Sequence, residues 1–219
     1  MTARDRILNA VRAGLPTPRA TPDAIAAEAR ALLDAPEARR PALAAPGLAD
    51  SFCAKAAALG TTVARLPDLA ALPEAVRGYL ADHGLSATLA LQPAPSLAVL
   101  DWSGIERHSA IAPDEPVALG LARWGIAESG SLVIHSGPDT PILLSFLPLH
   151  HIVVLHEDRL LPHLEDYAAR TAGEAPPRNA ILITGPSGTT DIEGSYVRGA
   201  HGPGFLHVIL IAPEARPAD

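Results

Sequence analysis

Short apolar runs separated by helical stretches limit the fold of this chain more than any other feature. Residues 152–155 read Ile-Val-Val-Leu, 180–184 read Ala-Ile-Leu-Ile-Thr, and 205–211 read Phe-Leu-His-Val-Ile-Leu-Ile. A strand with one wet face alternates apolar and polar residues. A run that is apolar at nearly every position has both faces covered, as in a parallel sheet flanked by helices. The first half of the chain predicts the same architecture. A helix over Ser51–Leu59 is closed by Gly60, which takes positive φ at little cost. A strand over Thr61–Leu66, a helix over Leu69–His83 closed by Gly84, and short strands at Ala87–Leu91 and Leu97–Leu100 follow. This alternation signals an α/β fold.

Further along, Pro116–Ser136 holds two strand-like runs around Glu128-Ser129-Gly130, which predicts a hairpin with a tight turn. Asp139–Leu149 reads as a helix with Asp139 as N-cap and Pro141 in its first turn. Asp158–Thr171 reads as an amphipathic helix, and Ile192–Arg198 as a helix before the last strand. Upstream, Ile7, Leu8, Val11 and Leu15 share one helical face, and Pro16, Pro18 and Pro22 end that helix. Residues 1–47 are therefore expected to form a helical arm and linker, with a second helix over Pro22–Leu33, and residues 48–219 the α/β domain. A linker without fixed structure is the other reading of residues 16–50.

Composition excludes several functions. The 24 acidic and 17 basic residues among 219 give a net charge of −7, which argues against nucleic acid as a partner, since phosphate binding needs a basic face. The single cysteine, Cys53, cannot form an internal disulfide or supply the four ligands of an iron–sulfur cluster or a cysteine-type zinc site. No stretch reaches the ~18 apolar residues of a membrane span, and the first 15 residues read as a helix rather than a leader. A cytoplasmic protein without a membrane span is expected.

Two segments carry candidate chemistry. In the hairpin, Glu128 stands in an apolar strand pair beside Ser129, Gly130 and Ser131, small residues that admit a ligand and hydroxyls that can donate to it. The alternative is a polar turn with Glu128 in solvent. The second segment, Thr184-Gly185-Pro-Ser187-Gly188-Thr189-Thr190-Asp191-Ile-Glu193, is expected to lie where a buried strand hands over to a helix. Ligands in α/β sheets bind near such strand ends, and free N–H groups there attract anions. It lacks the lysine of a phosphate-binding P-loop, and it ends in threonine rather than the glycine of a nucleophile elbow. A plain helix start capped by Thr190 or Asp191 is the competing reading. His201, between small residues, can act as acid or base, or serve only as a turn residue. His135, His150, His151, His156 and His163 form a metal site only if the fold gathers them, and no metal is expected.

The runs GIAESGSLVIHSGP, LLSFLPLHHIVVL and ILITGPSGTTDIEGSYVRGAHGPGFLHVILI resemble the LUD-domain family, of the LutC/YkgG type. The resemblance covers residues 48–211. It implies a fold like the NagB/RpiA/CoA-transferase group, a parallel-rich sheet with a small strand subdomain. It also implies a part in oxidising L-lactate to pyruvate beside partner subunits that are cysteine-rich and carry iron–sulfur clusters, this chain holding no cofactor. The chain departs from the family pattern at Gly188, where arginine is usual, at Tyr196, where a hydrophobic residue is usual, and at Thr140-Pro-Ile, where arginine often precedes the Leu-Leu-Ser run.

Three functions follow as expectations. In the first, the chain is the cluster-free subunit of a lactate-oxidising complex, with a cleft for a small carboxylate or other anion, or for a partner's surface. In the second, it is a stand-alone transferase, isomerase or ligase acting on a CoA ester, sugar phosphate or folate. Glu128, Asp191 or Glu193 then serves as nucleophile or base. In the third, it is an interaction module whose arm wraps a partner or a second copy, giving a homo-oligomer.

Overall fold

The computed structural model describes residues 2–15, 20–190 and 194–213. The chain divides into two compact units, Met1–Pro41 and Ala42–Asp219. In the first, α1 (Ala3–Gly14) begins with a capping box: Asp5 N–H donates to Thr2 Oγ1, and Thr2 N–H donates to the Asp5 carboxylate. A second helix, α2 (Pro22–Asp34), is capped by Thr21, with proline in its first turn. Neither helix has a buried residue, and Ile7, Val11, Ile25 and Leu33 are exposed.

The second unit comprises α3 (Leu48–Ala58), β1 (Thr62–Leu66), α4 (Leu72–Asp82), β2 (Thr88–Leu91), α5 (Pro95–Ala98), β3 (Glu106–His108), β4 (Val117–Leu121), β5 (Trp124–Ile126), β6 (Ser131–His135), β7 (His150–His156), β8 (Leu160–Leu161), α6 (Leu164–Thr171), β9 (Ala180–Ile183), β10 (Gly188–Thr189), β11 (Val197–Arg198) and β12 (Phe205–Ile211). Six strands form one parallel sheet in the order β1-β12-β7-β4-β2-β3. A four-stranded mixed sheet has the order β8-β5-β6-β9, and β10 and β11 form a two-stranded antiparallel ribbon. This is the α/β fold expected from the apolar runs, and the smaller strand layer is the one the family resemblance implies. The run at 180–184 differs from expectation: β9 is the outer strand of the small sheet, with Ala180 and Leu182 exposed, rather than a strand covered on both faces.

Strand alternation explains how the sheet is covered. Ile152, Val154, Ile209 and Leu119 point to one face, where Leu72, Val76 and Leu80 of α4 pack. Val153, Leu155, Val208 and Leu210 point to the other, against Phe52 and Ala56 of α3 and Leu132 of the small sheet. The small sheet comes this close because β5 has a glycine at its centre: a Cβ on Gly125 would lie 2.5 Å from Leu155 Cδ2.

Several elements differ from expectation. Leu97–Leu100 is not a strand: Pro95 starts the one-turn helix α5, which buries Leu97 and lets its carbonyl accept from the Trp102 indole N–H at 2.8 Å. The strand that does pair beside β2 is the polar β3, an edge strand that needs no apolar face. Pro116–Ser136 yields three strands rather than two, since β4 joins the main sheet and only β5 and β6 form the hairpin. Within Asp139–Leu149 only a 3-10 turn at Ile142–Ser145 forms. Asp139 lies in a tight turn closed by a bridge between Gly137 and Thr140, so it caps no helix there. The helix expected from Asp158 starts only at Leu164, because Leu160–Leu161 pairs with β5 and Pro162 follows it. In Ile192–Arg198, Ile192 and Glu193 lie outside the described residues. Val197–Arg198 is a strand, pairing with Gly188–Thr189.

Candidate functional site

The hairpin between β5 and β6 turns through Ala127–Gly130. Gly130 has φ +68°, and a Cβ there would lie 2.5 Å from the Ala56 nitrogen, so the turn rests directly on α3. Glu128 is half-buried, and its Oε1 accepts from the Leu164 N–H at 2.8 Å. That bond satisfies a free amide at the head of α6, where a carboxylate also meets the positive end of the helix dipole. Ser129, Ser131 and Thr184 form a chain of hydroxyls, each contact 2.7 Å long, with Ser131 buried. The chain joins the hairpin to the end of β9, so two segments 53 residues apart in sequence become one structure.

Beyond Thr184, Gly185 has φ +80° and sits against Leu59. Ser187 N–H donates to the Pro203 carbonyl at 2.8 Å, and Gly199 N–H donates to the Ser187 carbonyl at 3.0 Å. These bonds and the β10–β11 ribbon bring His201 to the loop. Thr184, Gly185, Ser187, Gly188 and His201 line one cleft of about 320 Å³, with Ser145, Phe146 and Leu206. Of the sequence candidates, Gly185, Ser187, Gly188 and His201 meet here, and Ser129 and Ser131 connect through Thr184. Thr189 lies on the ribbon and Thr190 is exposed just beyond it. Glu128 is not among the lining residues, and Asp191 and Glu193 lie outside the described residues. Among the described residues lining this cleft there is no arginine, lysine, aspartate or glutamate. A Cβ on Gly188 would overlap the Tyr196 ring. The departures at 188 and 196 are thus one feature: the tyrosine fills the space that a side chain at 188 would take.

A second cleft, of about 460 Å³, opens at the carboxyl ends of β2, β4 and β7. It is lined by Gln92, Arg123, His135, Ser136, Thr140, His156 and Arg159, with Leu121 and Ala122 at its base. Of these, the sequence pointed only to His135 and His156, as metal ligands if the fold gathered them, and to Thr140, as a departure from the family pattern. The signal was nonetheless present: Gln92 and His156 directly follow apolar runs, where the carboxyl end of a parallel strand meets ligand. Gln92 is buried. Its Oε1 accepts from Leu121 N–H at 2.8 Å and its Nε2 donates to Thr140 Oγ1 at 3.1 Å. Arg123 donates to Glu174 at 2.7 Å and to His135 Nδ1 at 3.1 Å. Because a guanidinium only donates, His135 Nδ1 is the acceptor, and its Nε2–H donates to the Tyr167 hydroxyl at 2.7 Å. Burial, then the Arg123 charge, lowers the His135 pKa from its ordinary value. Arg159 lies over the Trp124 ring, 5.2 Å from its centroid.

The five histidines weighed as metal ligands, His135, His150, His151, His156 and His163, are not gathered into one site. His150 and His151, adjacent on β7, point to opposite faces. His150 Nδ1 meets the Tyr79 hydroxyl at 2.9 Å and its ring stacks on Phe205, while His151 is fully buried. Among the described residues no group of three or more His, Cys, Asp or Glu side chains is placed to hold a metal. No helix among them is long and apolar enough to cross a membrane.

The family model of the LUD domain matches residues 50–211, which span both clefts. The chain belongs to the LUD domain family. Among LUD relatives, "Uncharacterized protein NMB1437" of Neisseria meningitidis is 34% identical over 101 residues, 45% of this chain and 43% of that protein. "Uncharacterized protein YkgG" of Escherichia coli is 33% identical over 109 residues, 47% of each chain. "Lactate utilization protein C" of Geobacillus thermodenitrificans is 33% identical over 131 residues, 56% of this chain and 55% of that protein. The chain thus spans about half the length of the curated relatives it matches. A crystal structure of a DUF162 family protein from Deinococcus radiodurans superposes with a TM-score of 0.54 at 20% identity, over 75% of this chain and 96% of that one, a likeness of fold.

Proposed function

We propose that this LUD-domain chain works in lactate utilization as the cluster-free subunit of a complex that oxidises L-lactate to pyruvate. The observation that carries the reading is the family match over residues 50–211, together with relatives named Lactate utilization protein C at about a third identity. Oxidation of lactate to pyruvate releases two electrons and two protons, and those electrons need a redox cofactor to receive them. The one cysteine here, Cys53, supplies no cluster, so the reading assigns iron–sulfur clusters to cysteine-rich partner subunits. The cleft between Thr184 and His201, whose described lining has no charged side chain other than a histidine, suits a partner's polypeptide better than a free anion. Its donors are hydroxyls, backbone amides and one imidazole, and Phe146 and Leu182 on its lining are exposed.

Affinity purification of the tagged chain from its own cells grown on L-lactate tests this. The expected eluate contains iron and reduces a dye when L-lactate is added. A Ser187→Trp variant, which obstructs the cleft, should lose the iron-bearing partners while keeping its fold by circular dichroism. An iron-free eluate without lactate-dependent dye reduction would sink the proposal.

A further inference from the structure

We infer that the cleft at the carboxyl ends of β2, β4 and β7 is a binding site for a small organic carboxylate, separate from the Thr184–His201 cleft. Three observations lead there. The first is hydrogen-bonding polarity. Ser136 Oγ already accepts from Asn179 N–H at 2.9 Å, and Thr140 Oγ1 already accepts from Gln92 Nε2 at 3.1 Å. Each hydroxyl therefore keeps its own proton to donate. Among the described residues that line the cleft there is no aspartate or glutamate. A site rich in donors and poor in acceptors selects a ligand made of acceptors.

The second observation is the charge balance. The Arg123 charge is taken up by Glu174 at 2.7 Å, and its other edge serves His135. The Arg159 Nε lies 3.8 Å from Asp158, beyond hydrogen-bonding reach, and its plane rests on Trp124. Among the described residues lining this cleft, Arg159 is thus the guanidinium with edges left for a ligand, which matches one carboxylate in a two-point contact. Inorganic phosphate at neutral pH is a mixture of monoanion and dianion, and both forms carry a P–O–H that wants an acceptor, so it fits this set of donors poorly. The third observation is place and size. Buried Gln92 ties the end of β4 to Thr140, which fixes the walls, and a volume of about 460 Å³ is that of a metabolite cleft.

The inference stands apart from the lactate reading, because the site selects carboxylates by charge and hydrogen bonding whatever acid is physiological. Isothermal titration of the full-length chain in low-chloride buffer would use acetate, L-lactate, pyruvate and inorganic phosphate as probes. Saturable binding of at least one carboxylate, tighter than phosphate, is expected. Arg159→Gln should weaken it about ten- to a hundredfold, as expected for loss of a charged hydrogen-bonding partner. Thr140→Val, a second route should the arginine variant fold poorly, should weaken it several-fold. Arg77→Gln, which removes a positive charge from α4 outside the cleft, is the control and should leave it unchanged. Carboxylate binding unaltered by Arg159→Gln and Thr140→Val, phosphate preferred over every carboxylate, or no carboxylate bound by the folded chain would each overturn the inference. Binding of acetate and pyruvate but not L-lactate would keep it while counting against lactate as a ligand of this chain.

Discussion

Acid should destabilise the α/β unit through two histidines that the fold keeps neutral. His151 is 1% exposed, its Nδ1 has no hydrogen-bond partner, and burial pushes its pKa down to about 4. His207, beside Thr62 and stacked on Tyr79, is pushed down to about 4 by burial and then by His83. In the unfolded chain both return to about 6.5. A folded pKa below the unfolded one means that the unfolded state takes up more protons as the pH falls. Stability is therefore whole above pH 6.5 and declines down to about pH 4. At pH 5 each histidine costs about 2 kcal/mol, and together they lower Tm by roughly 10 °C in a domain of this size. His151→Leu removes one of the two. At pH 7.5 it should be as stable as the parent or slightly more so, since a buried ring nitrogen without a partner is gone. Between pH 7.5 and 5 it should lose about half as much Tm through these two groups, read by differential scanning calorimetry. An identical pH slope in parent and His151→Leu would refute the reasoning.

Gly130→Ala forces a side chain into φ +68° and into the Ala56 backbone, and should cost about 3 kcal/mol in urea unfolding. Glu128→Ala leaves the first amide of α6 without its carboxylate and should cost about 1 kcal/mol, with Glu128→Gln in between. Gly188→Ala collides with the exposed Tyr196 ring, which can swing away, so its cost should stay under about 1 kcal/mol. In a Tyr196→Ala background that cost should vanish, and a double-mutant cycle by thermal unfolding measures the coupling.

The parts of the fold that were legible are those in which one segment fixes its own environment. The apolar runs at 152–155 and 205–211 became the central strands β7 and β12, because only a two-sided cover satisfies them. Glu106–His108 gave no such signal: an edge strand is held by its backbone pairing, and its side chains carry no pattern. Leu160–Leu161 was read as helix because apolar residues at helical spacing surround it. Pro162 and the pairing with Gly125 and Ile126 outweigh that spacing. The loop from Gly185 to Gly188 was readable as a cleft wall because its residues are contiguous. Arg123, Thr140 and Arg159 were not, because nothing short of the order β7-β4-β2 tells that the ends of those strands are neighbours.

Both clefts belong to one unit but differ in what they can hold, and the difference follows from where the chain spends its charge. Around Thr184 and His201 the described lining carries no permanent charge, so the protein partner proposed for this cleft would be held by shape and by backbone hydrogen bonds. At the carboxyl ends of β2, β4 and β7, a chain with net charge −7 gathers Arg123 and Arg159 into one cleft and compensates only one of them closely. Leaving a guanidinium edge unpaired beside two hydroxyl donors adds little to the stability of the fold, since exposed charges contribute little. The arrangement gains a role once an acceptor ligand enters. The two clefts share no described lining residue, so the proposed small acid and the proposed protein partner would not compete.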